Sequence, residues 1–359
     1  MTTGSTRPSV SRPDALSPAA LADARQHQPT RGLVGLAIVV PFTALLSLGA
    51  DGPTRSLTLL APIIAFALPI IAMIAFWWDD WPGSKLARPW SGLTDTGIVV
   101  IGGLVLTLLG QLVVNGTDLV GVFAPGPGHP GSYPDTVPLA GGIFTVMLQL
   151  TLVSEYWPLR PLLHRLPSGP VAVALAWLLG LLAWLLAVRS HAIQPETYGA
   201  WLTSIGCWQM LFYLALRGWP FARSNRKWLR LLIANVVVIG FGWAAYLFFA
   251  DALGLSPATV TAISGTGVGC VLLVCMLFEA WPAIRLDSRP LGRTLVVCTV
   301  VALTALLVWL LPMLARAIGV SAAQQWSWTT HVTLNALATM VILHVAVGRR
   351  WPSRASLPE

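Results

Sequence analysis

Long apolar runs recur along the chain, and a short polar stretch separates each run from the next. Ten runs can be drawn, at residues 32–49, 58–78, 95–115, 138–155, 171–189, 198–217, 229–250, 258–279, 294–315 and 327–348. Each is close to the roughly 20 apolar residues that cross a bilayer as a helix. The strands of a membrane barrel would instead alternate apolar and polar residues. The pattern therefore predicts an all-α, polytopic membrane protein with ten transmembrane helices.

Composition supports this architecture and indicates which membrane the protein occupies. Of 359 residues, 55% are hydrophobic and 10% charged, whereas a soluble domain carries about 25% charged residues. The net charge of +8 resides in short loops between apolar runs, which indicates membrane orientation rather than nucleic-acid binding. Arg greatly exceeds Lys, and Ala, Leu, Val and Gly are abundant, which favours a bacterial genome and the cytoplasmic (inner) membrane.

Positive charge is distributed unequally between the two sets of loops. Of 22 Lys and Arg residues, 19 lie in the N-terminal tail, in the loops after even-numbered runs and at the C-terminus; the other side holds Arg55, Arg189 and Arg316. The positive-inside rule then predicts that both termini are cytoplasmic. Residues 1–31 are expected to be a disordered cytoplasmic tail, 32–352 the transmembrane domain, and 353–359 a short cytoplasmic tail. The Gly- and Pro-rich loop 116–138 is expected to form a non-helical cap or lid on the outer face.

The dipeptide Trp-Pro follows every second apolar run. It occurs at Trp81-Pro82, Trp157-Pro158, Trp219-Pro220, Trp281-Pro282 and Trp351-Pro352. The spacings of 62 to 76 residues correspond to two helices with their connections, and such a period indicates a repeated unit. The sequence thus predicts five tandem two-helix hairpins. Each Trp is expected to anchor at the lipid headgroups with its N–H toward water, and each Pro to stop its helix.

A charged residue stands two positions before each of these tryptophans, in the order Asp79, Glu155, Arg217, Glu279 and Arg349. Charges of both signs at the inner membrane boundary can pair between neighbouring hairpins. We expect at least one such pair, for example Glu155 or Glu279 with Arg217 or Arg349. The first copy has two acids, Asp79-Asp80, and the last has two bases, Arg349-Arg350, so pairing between them would close a ring.

The even-numbered runs hold most of the polar side chains, and polar groups in hydrocarbon must turn toward the interior or a wet cavity. Candidate substrate-binding residues in the outer half are therefore Gln149, Ser204, Gln209, Ser264, Thr266, His331 and Asn335. Glycines cluster in the "ISGTGVGC" segment of the eighth run, where Gly265 and Gly269 form a GxxxG pattern. This segment is consistent either with close helix packing or with a broken helix that opens backbone groups to a ligand.

Motifs for enzyme chemistry are missing from the sequence. It holds no HExxH, GxSxG or Walker pattern and no buried carboxylate in the middle of a run. His331 and His344 could suggest haem ligation with His191 and His164, but they face different sides of one helix. The sequence indicates no metal site and leaves the cofactor unknown.

The leading hypothesis is a carrier or permease for a small neutral, amphiphilic or lipidic substrate, whose site lies in the outer half between even-numbered helices. One alternative is a non-catalytic scaffold that holds membrane protein partners. The other is a membrane redox protein that binds haem or quinone.

Overall fold

The computed structural model describes residues 18–87 and 90–351, which are helical and contain no β-strand. The helices are α1 (Pro18–His27), α2 (Thr30–Leu48), α3 (Pro53–Trp77), α4 (Trp90–Asn115), α5 (Val120–Phe123), α6 (Val137–Val153), α7 (Leu159–Leu162), α8 (Arg165–Arg189), α9 (195–215), α10 (Lys227–Ala252), α11 (Pro257–Leu277), α12 (Arg289–Ala317) and α13 (Gln325–Val347). Residues of the predicted tails and of the fifth Trp-Pro pair that fall in 1–17 and 352–359 lie outside this described part.

Within the described residues, eight helices are long and apolar enough to cross a membrane: α2, α3, α4, α8, α10, α11, α12 and α13. The chain is therefore an integral, multi-pass membrane protein. The predicted fourth and sixth runs correspond to α6, which is shorter at 17 residues, and to α9, which carries more polar side chains.

Five helices form a closed inner ring. In the order α3, α6, α9, α11 and α13, each packs against the next, and α13 packs against α3. In their most apolar eighteen-residue stretches, α3 and α11 are 72% buried, whereas α12 is only 17% buried. The even-numbered runs thus lie inside and the odd-numbered runs lie outside, where their apolar side chains are exposed.

The outer helices α2, α4, α8, α10 and α12 lie in the grooves between inner helices. Each packs most closely on the inner helix that precedes it along the chain, as α4 does on α3 and α8 on α6. The helices that pack most closely are therefore the two linked by a Trp-Pro connection. The hairpin prediction instead paired the two helices linked by the turn on the outer side. The last inner helix, α13, packs against the first outer helix, α2, so the ring closes without a covalent link.

Glycines allow the outer helices to approach the inner ring. A Cβ added at Gly180 of α8 would lie 2.8 Å from the Ile143 Cα, and one added at Gly242 of α10 would lie 2.7 Å from the Ile205 Cα. Both distances are shorter than any normal contact, so the helix axes can come this close only because no side chain is present.

Gly242→Ala should lower the stability of the folded protein by about 1–3 kcal/mol, because the added methyl group forces α10 away from α9. Gly240 lies two residues earlier on the same helix, is exposed, and has no atom within 4 Å of an added Cβ. Gly240→Ala is therefore the matched control and should leave stability unchanged or slightly higher. Thermal unfolding of both variants in one detergent measures the difference, and equal midpoints would contradict the packing argument.

The five inner helices end in the same backbone conformation. Each finishes with a π-helical turn, and the residues two and one before the Trp have positive φ of 47–52° and 59–75°. The N–H of the residue before Trp donates to the carbonyl six residues earlier at 2.8–3.0 Å in every copy. The helices therefore end five residues before the Pro, and the prediction that Pro stops them is wrong. The left-handed pair ends the helix instead, as such residues commonly do at helix C-termini.

A helix lies within the N-terminal stretch that the sequence suggested to be disordered. α1 packs on the segment after α11, where Arg25 donates to the Ile284 carbonyl at 2.8 Å and pairs with Asp287 at 3.0 Å. The loop between α4 and α6 also contains a helical turn, α5. Gln111 and Asn115 donate hydrogen bonds to the carbonyls of Pro130 and Gly131, which hold this loop over the end of α4.

Candidate functional site

A cavity of about 400 Å³ opens at the face opposite the Trp-Pro connections. Every inner helix contributes at least one residue near its first turns, so the cavity lies at the mouth of the ring. The inner-helix residues that line it are Leu57, Ala61, Val137, Pro138, Pro195, Glu196, Gly199, Ala258, Thr261, Ser327, Thr330 and Asn335. A volume of this size is typical of small-molecule sites, which range over about 300–1,000 Å³.

Asn335 lies at the floor of this cavity. Ser327, Thr330 and Asn335 descend α13 over about 12 Å, and Asn335 is the deepest. The residue is 8% exposed, and its amide forms no hydrogen bond within the described part of the chain, so its polar atoms are open to the cavity. It belongs to a π-helical segment, His331–Leu337, in the middle of α13. Such segments are often found at functional sites.

The cavity wall is mostly apolar and its rim is polar. Val114, Trp184 and Val188 from the outer helices line the wall, and exposed Asp135, Arg189, His191, Gln194 and Glu196 surround the entrance. Tyr133, at the end of the loop before α6, also contacts the cavity. Burial raises the pKa of Tyr133, and a hydrogen bond to Ser327 partly opposes this shift. The floor is neutral, whereas the rim carries two acids, Asp135 and Glu196, and one base, Arg189.

Below Asn335, apolar side chains of all five inner helices surround a void of only about 20 Å³. Its lining residues are Leu68, Ile71, Ala72, Phe76, Phe144, Leu148, Met210, Leu214, Leu272 and Ile342. Ile342 lies about 10 Å along α13 from Asn335. The apolar side chains around this void therefore form a plug that lies about two helical turns below the cavity floor.

Of the seven residues predicted to bind substrate, Asn335 lines the cavity. The other six form hydrogen bonds between helices. Gln209 Nε2 donates to the Gln149 Oε1 at 2.6 Å, and Gln149 Nε2 donates to the Asn235 Oδ1 at 2.8 Å. These bonds join α6, α9 and α10.

The remaining predicted side chains join α9, α11, α13 and α2. The hydroxyl oxygens of Ser204 and Ser264 lie 3.0 Å apart, and those of Thr266 and Thr333 lie 3.2 Å apart. His331 Nε2 lies 3.1 Å from the Leu46 carbonyl oxygen. These contacts join helices within the bundle, although His331 Nδ1 is buried without a hydrogen-bond partner.

The "ISGTGVGC" segment is part of a continuous α-helix, Pro257–Leu272, so the broken-helix alternative is wrong for α11. A Cβ added at Gly269 would lie 2.8 Å from the Thr333 carbonyl oxygen, and one at Gly265 would lie 3.2 Å from the Leu334 Cβ. These glycines therefore serve close packing of α11 on α13. The interruption of regular helix occurs instead in α13, which the sequence did not single out.

The four histidines considered for haem lie in different parts of the structure. His331 and His344 are buried in α13, His191 is exposed at the cavity rim, and His164 is exposed before α8. No group of three or more potential metal ligands occurs among residues 18–87 and 90–351.

At the Trp-Pro face, several of the predicted charged residues form ion pairs with residues of other helices or connections. Asp80 Oδ2 lies 3.6 Å from the Arg349 Nε, which brings the first and last copies together. Glu155 pairs with Arg230 at 2.7 Å, and not with Arg217 or Arg349. These two contacts join connections to helices that are distant in sequence.

The Glu279 carboxylate has three partners. It lies 3.0 Å from Arg350 and 3.5 Å from Arg31, and it accepts a hydrogen bond from Gln28 at 3.1 Å. Asp79 lies 3.3 Å from Arg165. The partners differ from the examples expected because the start of an outer helix supplies several of them, a pairing that linear sequence does not indicate.

The five connections share one backbone geometry, but their Trp rings lie in different environments. Trp157 and Trp351 are about half exposed, at 53% and 50%. The indole nitrogens of Trp219 and Trp281 are buried without a hydrogen-bond partner. The expectation that each indole N–H points to water is therefore wrong for Trp219 and Trp281.

Asp80 should make stability depend on pH. Burial raises its pKa to about 6 from 3.8, while Arg349 opposes the shift and Asp95 and Asp79 add to it. Between these two pH values the folded state binds a proton that the unfolded state has lost, so stability falls as pH rises through the folded pKa. The wild type should lose about 2 kcal/mol more than Asp80→Asn between about pH 4 and pH 7. Denaturant unfolding at the two pH values tests this, and parallel pH profiles would refute it.

No protein-family model, curated protein or solved structure matches this chain. The site is therefore defined by its own geometry.

The cavity residues that sequence reasoning missed share one signal. Thr261, Ser327 and Thr330 are polar residues in the first turns of inner helices, and Glu196 opens α9. In the sequence alone, polar residues at the end of an apolar run are expected at the membrane–water interface and do not indicate a binding site. Only the ring arrangement shows that these ends meet around one space.

Proposed function

We propose that the protein is a carrier for a small, neutral, amphiphilic substrate that binds in the cavity at the mouth of the ring. The observation that supports this most strongly is the unpartnered amide of Asn335, which is 8% exposed at the cavity floor. The polar atoms of this amide are accessible from the cavity, and no protein group among the described residues occupies them. A ligand hydroxyl, amide or carbonyl group can therefore form hydrogen bonds with it.

The rest of the cavity is consistent with an amphiphile. The apolar wall of Leu57, Val114, Trp184 and Val188 would contact the hydrocarbon portion. The floor carries no charge, so a full charge on the ligand would be buried without compensation. This reasoning favours a neutral compound over an ion.

The proposed membrane arrangement follows the positive-inside rule. All ten long helices cross the cytoplasmic membrane of a bacterium, the Trp-Pro face is cytoplasmic, and the cavity opens to the outer side. The five identical helix ends support descent from a repeated unit of about two helices. In this orientation the structure corresponds to an outward-open state, and transport requires the plug around Ile342 to open.

Cysteine labelling tests the proposal. Asn335→Cys is made in a protein whose cysteines, Cys207, Cys270, Cys275 and Cys298, are replaced by Ala. A membrane-impermeant, cationic methanethiosulfonate should modify it from the outer side, and more slowly from the cytoplasmic side of inverted vesicles. Octanol and octyl glucoside should slow the modification, whereas octanoate should have a weaker effect.

The outcomes separate binding from transport. Protection by the neutral amphiphiles without any cytoplasmic labelling would contradict a carrier and leave a one-sided binding protein. Labelling that none of these compounds slows would contradict the ligand class.

A further inference from the structure

Buried polar atoms without a partner concentrate on α2 and α13, two helices that pack on each other. On α2 they are the Thr43 and Ser47 hydroxyls; on α13 they are His331 Nδ1, the Thr339 hydroxyl and His344 Nε2. None of these five atoms has a hydrogen-bond partner among residues 18–87 and 90–351. A polar atom buried in this way costs free energy, so the two helices carry a cost that apolar residues in their place would not impose.

Two contacts fix how α2 and α13 are aligned. His331 Nε2 lies 3.1 Å from the Leu46 carbonyl oxygen, near the outer end of α2. Toward the other end, a Cβ added at Gly35 would lie 3.3 Å from His344 Nε2. The helices therefore run antiparallel, and both histidines reach α2. A regular helix would turn the two histidines to different sides, but α13 contains a π-helical segment between them.

The unpartnered atoms of α13 extend from the cavity toward the Trp-Pro face. His331 follows Thr330, which lines the cavity, and His344 lies seven residues before the Trp of the last connection. Asn335 and Thr339 divide the roughly 20 Å of helix between the histidines into steps of about 6–8 Å. One or two water molecules would bridge each step, since a hydrogen bond spans about 2.8 Å.

In this structure the interface between α2 and α13 is closed to water, because each of the five atoms is buried. α2 is also the outer helix that no connection links to its inner partner, since α13 is the last long helix and α2 the first. A movement of α2 away from α13 would therefore admit water and give the buried polar atoms hydrogen-bond partners. The interface is suited to alternate between a dry and a hydrated form.

The histidines can carry a proton through the hydrated form. A carbonyl oxygen only accepts hydrogen bonds, so His331 Nε2 carries the hydrogen that it donates to Leu46. In the neutral ring Nδ1 then keeps a free lone pair. A proton from water binds this lone pair and is later released to water, so the step requires no other reactant.

Charged side chains from the neighbouring elements lie at the Trp-Pro end of the interface. Arg350 follows α13, Arg31 belongs to α2, and both lie near Glu279 after α11, at 3.0 and 3.5 Å. Asp80, after α3, is at the same face. Because Arg350 has the same sign as a protonated His344, it favours release of the proton to water at this face.

We propose that the interface between α2 and α13 is a proton pathway between the cavity and the Trp-Pro face. It opens when α2 moves away from α13, and His331 and His344 bind the proton as it passes. The apolar plug is not part of this pathway, so protons and substrate would take separate routes. The pathway rests on the membrane arrangement proposed above; together with the carrier proposal, it would let a proton gradient drive transport.

Proton entry into vesicles tests the pathway. The protein is reconstituted in vesicles of phosphatidylethanolamine and phosphatidylglycerol that contain the pH-sensitive dye pyranine. The outside is acidified with potassium and valinomycin present to balance charge, with and without octyl glucoside below its solubilising concentration. His331→Gln and His344→Gln should each lower the protein-dependent rate of proton entry about tenfold or more. His164→Gln, at an exposed position before α8, is the control and should leave the rate unchanged.

Thr43→Val separates loss of the pathway from loss of folding. Valine has a shape similar to that of threonine but lacks the unpartnered hydroxyl, so this variant should be at least as stable as the wild type and yet admit protons more slowly. Thr107→Val on α4 is the matched control. Thr107 is also buried on an outer helix, but its hydroxyl donates to the Gly103 carbonyl at 2.7 Å. Its replacement should leave proton entry unchanged.

The outcomes distinguish this proposal from the carrier proposal. Protein-dependent proton entry that requires octyl glucoside would support the pathway and couple it to the carrier. Entry that does not require it would support the pathway even if the labelling of Asn335→Cys contradicts the carrier. Wild-type vesicles no more permeable to protons than protein-free vesicles, in either condition, would overturn the pathway. Entry that persists in both His331→Gln and His344→Gln would overturn it as well.

Discussion

Gly199→Trp should block access to the cavity floor without unfolding the protein. Gly199 lines the cavity on α9, and no atom lies within 4 Å of a Cβ placed there. The indole ring would therefore extend into open space and occupy the volume above Asn335. We expect the outer-side modification rate of Asn335→Cys to fall about tenfold or more, which corresponds to an added barrier of ~1.4 kcal/mol.

The control for this substitution is Gly240→Trp on α10. Gly240 also has no atom within 4 Å of an added Cβ, but it is exposed on the outer ring, away from the cavity. It should leave the modification rate unchanged. If Gly199→Trp is folded and Asn335→Cys still reacts at the original rate, Asn335 is reached by another route and the cavity is not the substrate entrance.

Glu279→Gln should cause the largest loss of stability among the charge changes at the Trp-Pro face. The Arg350 residue is only 7% exposed, and Glu279 is its acidic partner at 3.0 Å. Removal of one carboxylate from a fully buried ion pair costs about 3–5 kcal/mol, and Arg350 keeps its hydrogen bonds to the Leu277 and Met276 carbonyls. Because the Glu279 side chain is 21% exposed, we expect about 2 kcal/mol.

The same contacts predict a ranking of variants. Arg25→Gln should have a smaller effect, since its acidic partner Asp287 is 93% exposed. Glu196→Gln, on the exposed rim of the cavity, should have almost none. The order of unfolding midpoints in one detergent tests this ranking. If Glu279→Gln is as stable as Glu196→Gln, the Glu279 contacts do not hold the ends of α2, α11 and α13 together.

Hydrophobic periodicity was sufficient to locate the helices, because a bilayer requires long apolar segments whatever their neighbours are. Each apolar run drawn from the sequence overlaps a helix of the described structure. The polarity of the even-numbered runs also indicated the inner helices, since polar side chains cannot remain in lipid. Trp-Pro recurrence likewise located five helix ends of one conformation, although not the residues that terminate them.

Only the tertiary structure determined which helices meet. The closest helix pairs are consecutive along the chain and are linked by the Trp-Pro connections. They pack closely because Gly180 faces Ile143 and Gly242 faces Ile205. This complementarity is not visible in either helix alone. For the same reason Glu155 meets Arg230 rather than another boundary charge. The cavity also depends on the ring. Gly199 and Asn335 lie on separate helices, and only the arrangement of five helix ends around one space brings them to the same cavity. The sequence thus determined which residues of each helix must be buried, whereas tertiary packing determined which neighbouring helix buries them.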